Sequence, residues 1–164
     1  MKLIAGILQT GDYARAIMGN ATGADTRVAM RLARADVLTR RNPTEFVALL
    51  GEESLYQPIA DAEVMSAQLQ HLLRMAELPA VTIQVIPART IGWRPGLLAP
   101  FELLEFDKAP AMVHVEADRA SAFLFNEADV AAYRENARVL REEVAMGPAE
   151  SLELIGDVIK ETTT

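Results

Sequence analysis

The feature that most constrains the fold is a change of hydrophobic period near residue 80. Residues 61–78 (DAEVMSAQLQHLLRMAEL) carry apolar side chains at helical spacing, which predicts an amphipathic helix with one buried face. The segments that follow alternate with period two and predict short strands at 81–87, 100–106, 111–117 and 121–125. Helix and strands in separate runs indicate an α+β fold.

The N-terminal residues predict further elements. Thr10 is a suitable N-cap for a helix over 11–19, and the spacing of apolar residues predicts a second helix over 25–39. Residues 44–51 are strand-like, and 52–58 (EESLYQP) read as an irregular connector that ends at a proline.

The C-terminal residues predict two helices. Asn126 caps a long helix, and a final helix follows Gly147 and Pro148. Apolar residues in the long helix repeat at 3-4-3-4 spacing: Val130, Tyr133, Ala137, Leu140 and Val144. This stripe spans barely two heptads, so core packing is favoured over the alternative, the seam of a homodimer. We therefore predict one α+β domain over 1–164, with an antiparallel sheet of four to five short strands flanked by N-terminal and C-terminal helices.

The composition excludes several classes of protein. The chain has 164 residues, 51% of them hydrophobic, and no cysteine, so it can bury a core but cannot form disulfides or thiolate zinc sites. No apolar run is long enough to span a membrane or to serve as a signal sequence, so we expect a cytoplasmic protein. The net charge of -7 disfavours nucleic-acid binding by this chain alone.

The charge is unevenly distributed. Residues 1–50 carry seven Lys and Arg against four Asp and Glu, whereas residues 51–164 carry nine against nineteen. Arg27, Arg31 and Arg34 form a row on the second predicted helix. This row could clamp an acidic ligand or partner, but a solvated helix face or pairing with the acidic residues of the same chain is the simpler interpretation.

The sequence contains no nucleotide-binding glycine loop and no metal-binding motif. Neither G-x-G-x-x-G nor G-x-x-x-x-G-K-[ST] occurs, and His71, one of only two histidines, has no histidine or carboxylate one helical turn away. We therefore predict neither a cofactor nor a metal site.

Two segments carry residues suited to binding or catalysis. The strand AMVHVEA places His114 and Glu116 on one face, where they line either solvent or a cleft in which acid/base chemistry is available. The loop ARTIGWRPGLLAPF contains Trp93 and Arg94, which is typical of a ligand lid or a partner contact. The alternative for Trp93 is a plug over the edge of the sheet.

Seven segments resemble a known family in order. They are GILQTGDYARAI, RVAMRLARADVLTR, LLGEESLYQPI, VMSAQLQHLLRMAELPAVTIQVIP, GWRPGLLAPFELLEF, VHVEA and GPAESLELI. Together they resemble the C-terminal domain, of unknown function, of actinobacterial helix-turn-helix regulators of the Xre class, in the WhiJ-like, antitoxin-like group. Tyr56-Gln57 and His114 depart from the pattern of that group. The helix-turn-helix that normally precedes the domain is absent, so we expect either a domain separated from its DNA reader or a stand-alone version.

The resemblance implies a regulatory module that senses a small-molecule ligand or contacts a small acidic partner protein. In this interpretation the sheet and the Trp93 loop enclose an apolar pocket. The residues expected to bind the ligand or partner are Gln9, Tyr13, Arg31, Arg34, Glu52, Trp93, Arg94, Phe101 and Glu116. The alternative is a stand-alone biosynthetic enzyme of cyclase or isomerase type that uses the same pocket. Its candidate catalytic residues are His114, Glu116, Glu105 and Tyr13.

Overall fold

The computed structural model describes residues 3–89, 99–117 and 120–162, and the α+β class predicted from the sequence is confirmed. The elements are, in chain order, α1 (Gly11–Met18), α2 (Ala24–Arg34), α3 (Asp36–Thr39), β1 (Phe46–Gly51), α4 (Glu53–Tyr56), α5 (Ala62–Ala76), β2 (Val81–Ile86), β3 (Phe101–Leu104), β4 (Met112–Ala117), β5 (Ala120–Leu124), α6 (Glu127–Val139) and α7 (Pro148–Thr162). A 3₁₀ turn (Gly6–Leu8) precedes α1, and a π-helical turn (Leu140–Val144) follows α6.

The helices begin where the sequence places their caps. The Thr10 side chain accepts a hydrogen bond from the Tyr13 amide at 3.3 Å, and Asp61 accepts one from the Val64 amide at 2.9 Å. Asn126 caps α6 by accepting from the amide of Ala128 at 2.8 Å. Each cap satisfies an N–H group that has no partner within its helix, which fixes the start of that helix.

Two local predictions were wrong. The helix expected over 25–39 is divided, because at Ala35 the backbone makes tighter bonds to the carbonyl three residues back and α3 starts as a separate turn. The connector over 52–58 is not wholly irregular, since it contains the one-turn helix α4.

The single antiparallel sheet was also a wrong prediction. The strands form two sheets, a pair of β1 and β2 and a three-stranded sheet in the order β3-β4-β5. The Phe46 amide donates to the Ala80 carbonyl at 2.8 Å, which puts the beginnings of β1 and β2 together, as in a parallel pair. Parallel strands need a long crossover, and α5 provides it, whereas the shorter connections of β3, β4 and β5 allow antiparallel pairing.

The chain divides into two compact units. The first comprises Lys2–Val85 with Met146–Thr164, and the second comprises Ile86–Ala145. The chain leaves and re-enters the first unit at one point, where the Met146 amide donates to the Val85 carbonyl at 2.8 Å.

The first unit has a continuous apolar core. Side chains from the N-terminal segment, β1, α4, α5, β2 and α7 contribute to it: Ile4, Leu8, Tyr13, Leu38, Ala48, Leu50, Leu55, Met65, Leu69, Leu72, Met75, Val81, Ile83, Val85, Ile155 and Val158. The helix predicted over 61–78 supplies the inward face that its sequence indicates, since Met65, Leu69 and Leu72 are buried.

The second unit is the antiparallel sheet with α6 packed against β3 and β4. Val113 of β4 and Val130 of α6 are buried, and the rings of Phe101 and Tyr133 meet edge to face with centroids 4.9 Å apart. In the 3-4-3-4 stripe, Val130 and Leu140 are buried and the other three residues are half-buried.

Candidate functional site

Three of the residues expected to bind a ligand meet in the first unit. Gln9, just before α1, is 5% exposed, and its amide nitrogen donates to the Ile4 carbonyl at 2.7 Å. Arg31 reaches over from α2 and donates from Nη1 to the Gln9 Oε1 atom at 2.7 Å. Tyr13 is fully buried, and its hydroxyl accepts from the Ile4 amide at 3.5 Å.

These polar groups are satisfied inside the chain. The Gln9 side chain uses its nitrogen on Ile4 and its oxygen on Arg31. The Arg31 guanidinium lies over Gly6, where a Cβ atom would be 3.5 Å from Nε. In this arrangement Gln9 and Arg31 connect α2 with the N-terminal segment.

Burial also changes the chemistry of Tyr13. Loss of solvation raises the pKa of its hydroxyl above 10.0, and the hydrogen bond with the Ile4 backbone only partly opposes that rise. The hydroxyl therefore stays protonated at neutral pH, which makes Tyr13 unsuitable as a general base there.

A fourth member of this network, Gln68, was not among the residues singled out for function. It is fully buried on α5, where Oε1 accepts from the Thr10 amide at 2.7 Å and Nε2 donates to the Leu8 carbonyl at 2.8 Å. The signal was present in the sequence, because Gln68 occupies the inward apolar face of α5 between Met65 and Leu72. A polar residue on such a face needs buried partners.

The rest of the arginine row faces outward. Arg27 and Arg34 are exposed, and Met30, which lies between them on the same side of α2, is 60% exposed. No ion pair involves Arg27 or Arg34 within the described ranges. We call Arg27, Met30 and Arg34 the cationic stripe. A long apolar side chain between two guanidinium groups can contact apolar and acidic groups together.

An open cavity lies between α1 and α2. It measures about 440 Å³, and Arg15 and Asp25, which form an ion pair, belong to its lining. The other lining residues are Gly19, Asn20, Ala21, Gly23, Ala24 and Thr26. Gly19 and Gly23 have positive φ angles of 57° and 78°, which only glycine adopts at low cost.

Glu52, another residue expected to bind a ligand or partner, is the N-cap residue of α4 and is half-buried. Burial is the largest cause of a raised pKa of the Tyr56 hydroxyl. The negative charges of Glu161, Glu52 and Asp157 raise that pKa further. Tyr56 itself is 50% exposed, so α4 and α7 present an acidic surface around an aromatic ring.

The candidate catalytic residues have different partners. His114 on β4 contacts Glu102 of β3, with Nδ1 and Oε2 3.3 Å apart, and its ring stacks on Phe123 of β5 with centroids separated by 4.7 Å. Glu116 is exposed and lies opposite Ser121.

Glu105 and Tyr13 complete the candidate catalytic set. Glu105 accepts two hydrogen bonds from the Arg134 guanidinium, at 2.8 and 2.9 Å. Tyr13 belongs to the other compact unit. Neither Glu105 nor Tyr13 is the partner of His114 in the described residues. The carboxylate beside His114 is that of Glu102, a residue that the sequence analysis did not single out.

The remaining predicted binding residues are Phe101, Trp93 and Arg94. Phe101 is half-buried against Tyr133 of α6. Trp93 and Arg94 lie outside the described residues. Across the described ranges, no group of three His, Cys, Asp or Glu side chains is arranged to hold a metal ion. A search of the same ranges finds no helix with the length and hydropathy needed to cross a membrane.

Among known families, the chain matches the family described as Domain of unknown function (DUF5753) over residues 1–157. Comparison with curated proteins and with solved structures gave no match.

Proposed function

The chain belongs to the DUF5753 family, and we propose that it is a partner-binding regulatory module of a cytoplasmic transcriptional regulator of the Xre class. In this proposal the cationic stripe on α2 docks a small acidic protein. DNA binding is left to a separate helix-turn-helix, because a domain of net charge -7 repels phosphate.

The observation that carries the proposal is that the arginines of the row on α2 point in different directions. Arg31 is turned inward and bonded to Gln9, while Arg27 and Arg34 are exposed on either side of Met30. The contact between Arg31 and Gln9 fixes α2 to the N-terminal segment. The cationic stripe therefore lies on a helix whose position is restrained. Charge complementarity favours an acidic partner, both for the rate of encounter and for specificity.

A partner protein has more support than a small-molecule ligand. The side chains expected to orient a ligand, Gln9 and Tyr13, are buried and hydrogen-bonded to the backbone of Ile4. A ligand at these groups would have to replace internal hydrogen bonds, which costs free energy without a compensating gain. The enzymatic alternative has less support for a related reason, since within the described residues His114 contacts Glu102, Glu105 contacts Arg134 and Glu116 lies opposite Ser121.

Calorimetric titration with a small acidic protein of the kind often encoded beside genes of the resembled regulator group tests the proposal. We expect binding that weakens as salt is raised, and we expect the double variant Arg27→Glu/Arg34→Glu to weaken it by about tenfold or more. The matched control is Arg89→Glu/Lys108→Glu, which changes the net charge equally at two exposed positions in the other unit.

The two double variants separate a stripe from a general charge effect. Equal weakening by both would mean that only net charge matters and would contradict docking on α2. Unchanged binding in the α2 variant, or no binding by the wild-type chain, would also contradict the proposal. Met30→Ala provides a further check, because it removes apolar contact without changing charge.

A further inference from the structure

The strand β5 forms an edge of the three-stranded sheet in the second unit. In the described part of the chain it pairs with β4 alone, through residues 120–124. Among the described residues, the backbone N–H and C=O groups on its outer side therefore have no strand partner. Such an edge is a template for another strand, and proteins usually protect it with charges, proline or a covering element.

The strand β5 itself carries neither charges nor proline. Residues 120–125 (ASAFLF) include no charged residue and no proline, and Ala120, Ser121 and Ala122 are exposed. Phe123 is 52% exposed and Phe125 is 66% exposed. The helix α6 packs against β3 and β4.

The opposite edge of the same sheet differs in this respect. β3 carries Glu102, and Glu105 follows it one residue beyond the end of the strand. In an antiparallel pairing of two β3 strands these like charges would approach each other and oppose association. The contrast identifies β5 as the edge suited to pairing.

We infer that β5 is a self-pairing edge: two copies of the chain join through antiparallel β5 strands about a two-fold axis at Ala122, forming a six-stranded sheet. This inference concerns a different surface from the cationic stripe and does not depend on it. Pairing would place Ala122 opposite its counterpart, Ser121 opposite Phe123, and Ala120 opposite Leu124. The small side chain at the axis allows the two strands to approach closely.

A second copy fits this edge better than a charged partner does. Each chain has a net charge of -7, so two copies repel at long range. Contact through an uncharged strand brings no additional like charges together, and isologous pairing satisfies the outer backbone groups of both strands at once. A five-residue strand buries less area than a standard interface, so we expect a weak dimer with a micromolar dissociation constant.

Sedimentation velocity over a range of protein concentrations, from low micromolar to near millimolar, tests the inference. We expect a monomer–dimer equilibrium that tightens as salt screens the net negative charge. Binding of an acidic partner to α2 should instead weaken with salt, so the two proposals can fail independently. A monomer throughout the concentration range would overturn the self-pairing of β5.

Lysine substitutions locate the interface. Ala122→Lys places two positive charges at the two-fold axis and is expected to raise the dissociation constant by about tenfold or more. Ala132→Lys makes the same change at an exposed position of α6 and should leave the equilibrium unaltered. Dimerisation that survives Ala122→Lys, or is lost equally in Ala132→Lys, would contradict pairing through β5.

Cysteine substitutions provide a second test, which does not require the fold to tolerate a lysine at position 122. Because the chain has no cysteine, Ala122→Cys introduces a unique thiol that faces its counterpart across the axis. Oxidised glutathione should then produce a covalent dimer with Ala122→Cys and little with the control Ala132→Cys. Equal crosslinking of the two variants would show collision without specific pairing and would overturn the inference.

Discussion

The Arg31 guanidinium donates from Nη1 to the Gln9 Oε1 atom at 2.7 Å, across 22 positions of the sequence. The contact joins the middle of α2 to the residue that precedes the cap of α1. Because Gln9 in turn donates to the Ile4 carbonyl, the first residues of the described chain are connected to α2 through side chains. The same arginine row therefore has an inward, structural member and outward, exposed members.

The first prediction separates these two roles. Arg31→Ala removes a charged donor from the nearly buried amide of Gln9, so we expect the free energy of unfolding to fall by about 1–2 kcal/mol. Arg34→Ala, one helical turn along and exposed, should change it by less than about 0.5 kcal/mol. Urea denaturation of both variants measures the difference. Equal losses would show that the Gln9 contact contributes no stability.

The second prediction concerns Gln68. Gln68→Leu removes the partners of two backbone groups, the Thr10 amide and the Leu8 carbonyl, and leaves both without their side-chain hydrogen bonds. We expect the free energy of unfolding to fall by about 2–6 kcal/mol, because each of the two unsatisfied groups costs about 1–3 kcal/mol.

Gln70→Leu is the matched control for Gln68→Leu. Gln70 lies on the same helix, is exposed, and donates to the Ser66 hydroxyl at 3.3 Å. Its replacement should change stability by less than about 0.5 kcal/mol in thermal or urea unfolding. A small effect at both positions would contradict this prediction. It would mean that water reaches the Thr10 amide and the Leu8 carbonyl and replaces their hydrogen bonds to Gln68.

Local signals were sufficient to predict most of the elements. Thr10 and Asn126 each carry a side chain that can cap a helix, and the structure has helices starting at the next residues. The period-two segments between 81 and 125 all became strands for a similarly local reason. Such features depend on neighbours in sequence, which a single chain displays directly.

The arrangement of the strands could not be predicted in the same way. Alternation shows that residues 44–51 have a strand pattern but does not identify the strand with which they pair. The backbone hydrogen bond between Phe46 and Ala80 joins residues that lie on either side of α5 in the sequence. It belongs to the pairing of β1 with β2, in a sheet separate from that of β3, β4 and β5. Pairing of that kind follows from long-range packing, for which the sequence pattern carries little information.

The structure brings together three of the residues that the sequence singled out for binding, and their role in binding stays a prediction. Gln9, Tyr13 and Arg31 do lie together, as residues of one site should. Their residue types are equally suited to orient a ligand and to satisfy one another. Only the distances show that their hydrogen bonds are made within the chain. His114 similarly has a carboxylate neighbour, but Glu102 comes from the adjacent strand rather than from the same strand.

The third prediction uses two buried serines. The Ser54 hydroxyl is fully buried and is the one side-chain polar atom in the described ranges that is both buried and without a hydrogen-bond partner. Ser54→Ala removes a desolvated group at little cost in volume, so we expect stability to stay the same or rise by up to about 1 kcal/mol.

Ser151 provides the opposite case. It is equally buried, but its hydroxyl accepts from the Val85 amide at 2.9 Å and donates to the Gly147 carbonyl at 2.8 Å. Ser151→Ala should therefore lower the free energy of unfolding by about 1–3 kcal/mol. Chemical denaturation of the two variants should give changes of opposite sign or clearly different size. A loss at Ser54 as large as that at Ser151 would indicate that Ser54 has a partner, such as an ordered water.

The fourth prediction concerns pH and His71. Burial, and then the positive charge of Arg74, lowers the pKa of the His71 imidazole below 6.5. As the pH falls through about 6.5, the unfolded chain binds a proton at this residue before the folded chain does. Stability is therefore fully present above that pH and declines below it.

His71→Gln removes this linkage while keeping a polar side chain of moderate size at the half-buried position. We expect the wild-type chain to lose more stability than the variant when the pH is lowered from about 7.5 to about 5.5. Carboxylates contribute equally to both proteins, so the difference between the two losses isolates His71. An NMR titration of the folded chain checks the premise, because the variant identifies the His71 ring resonance. A His71 pKa at or above 6.5, or equal pH dependence of the two proteins, would contradict the burial of this imidazole in its neutral form.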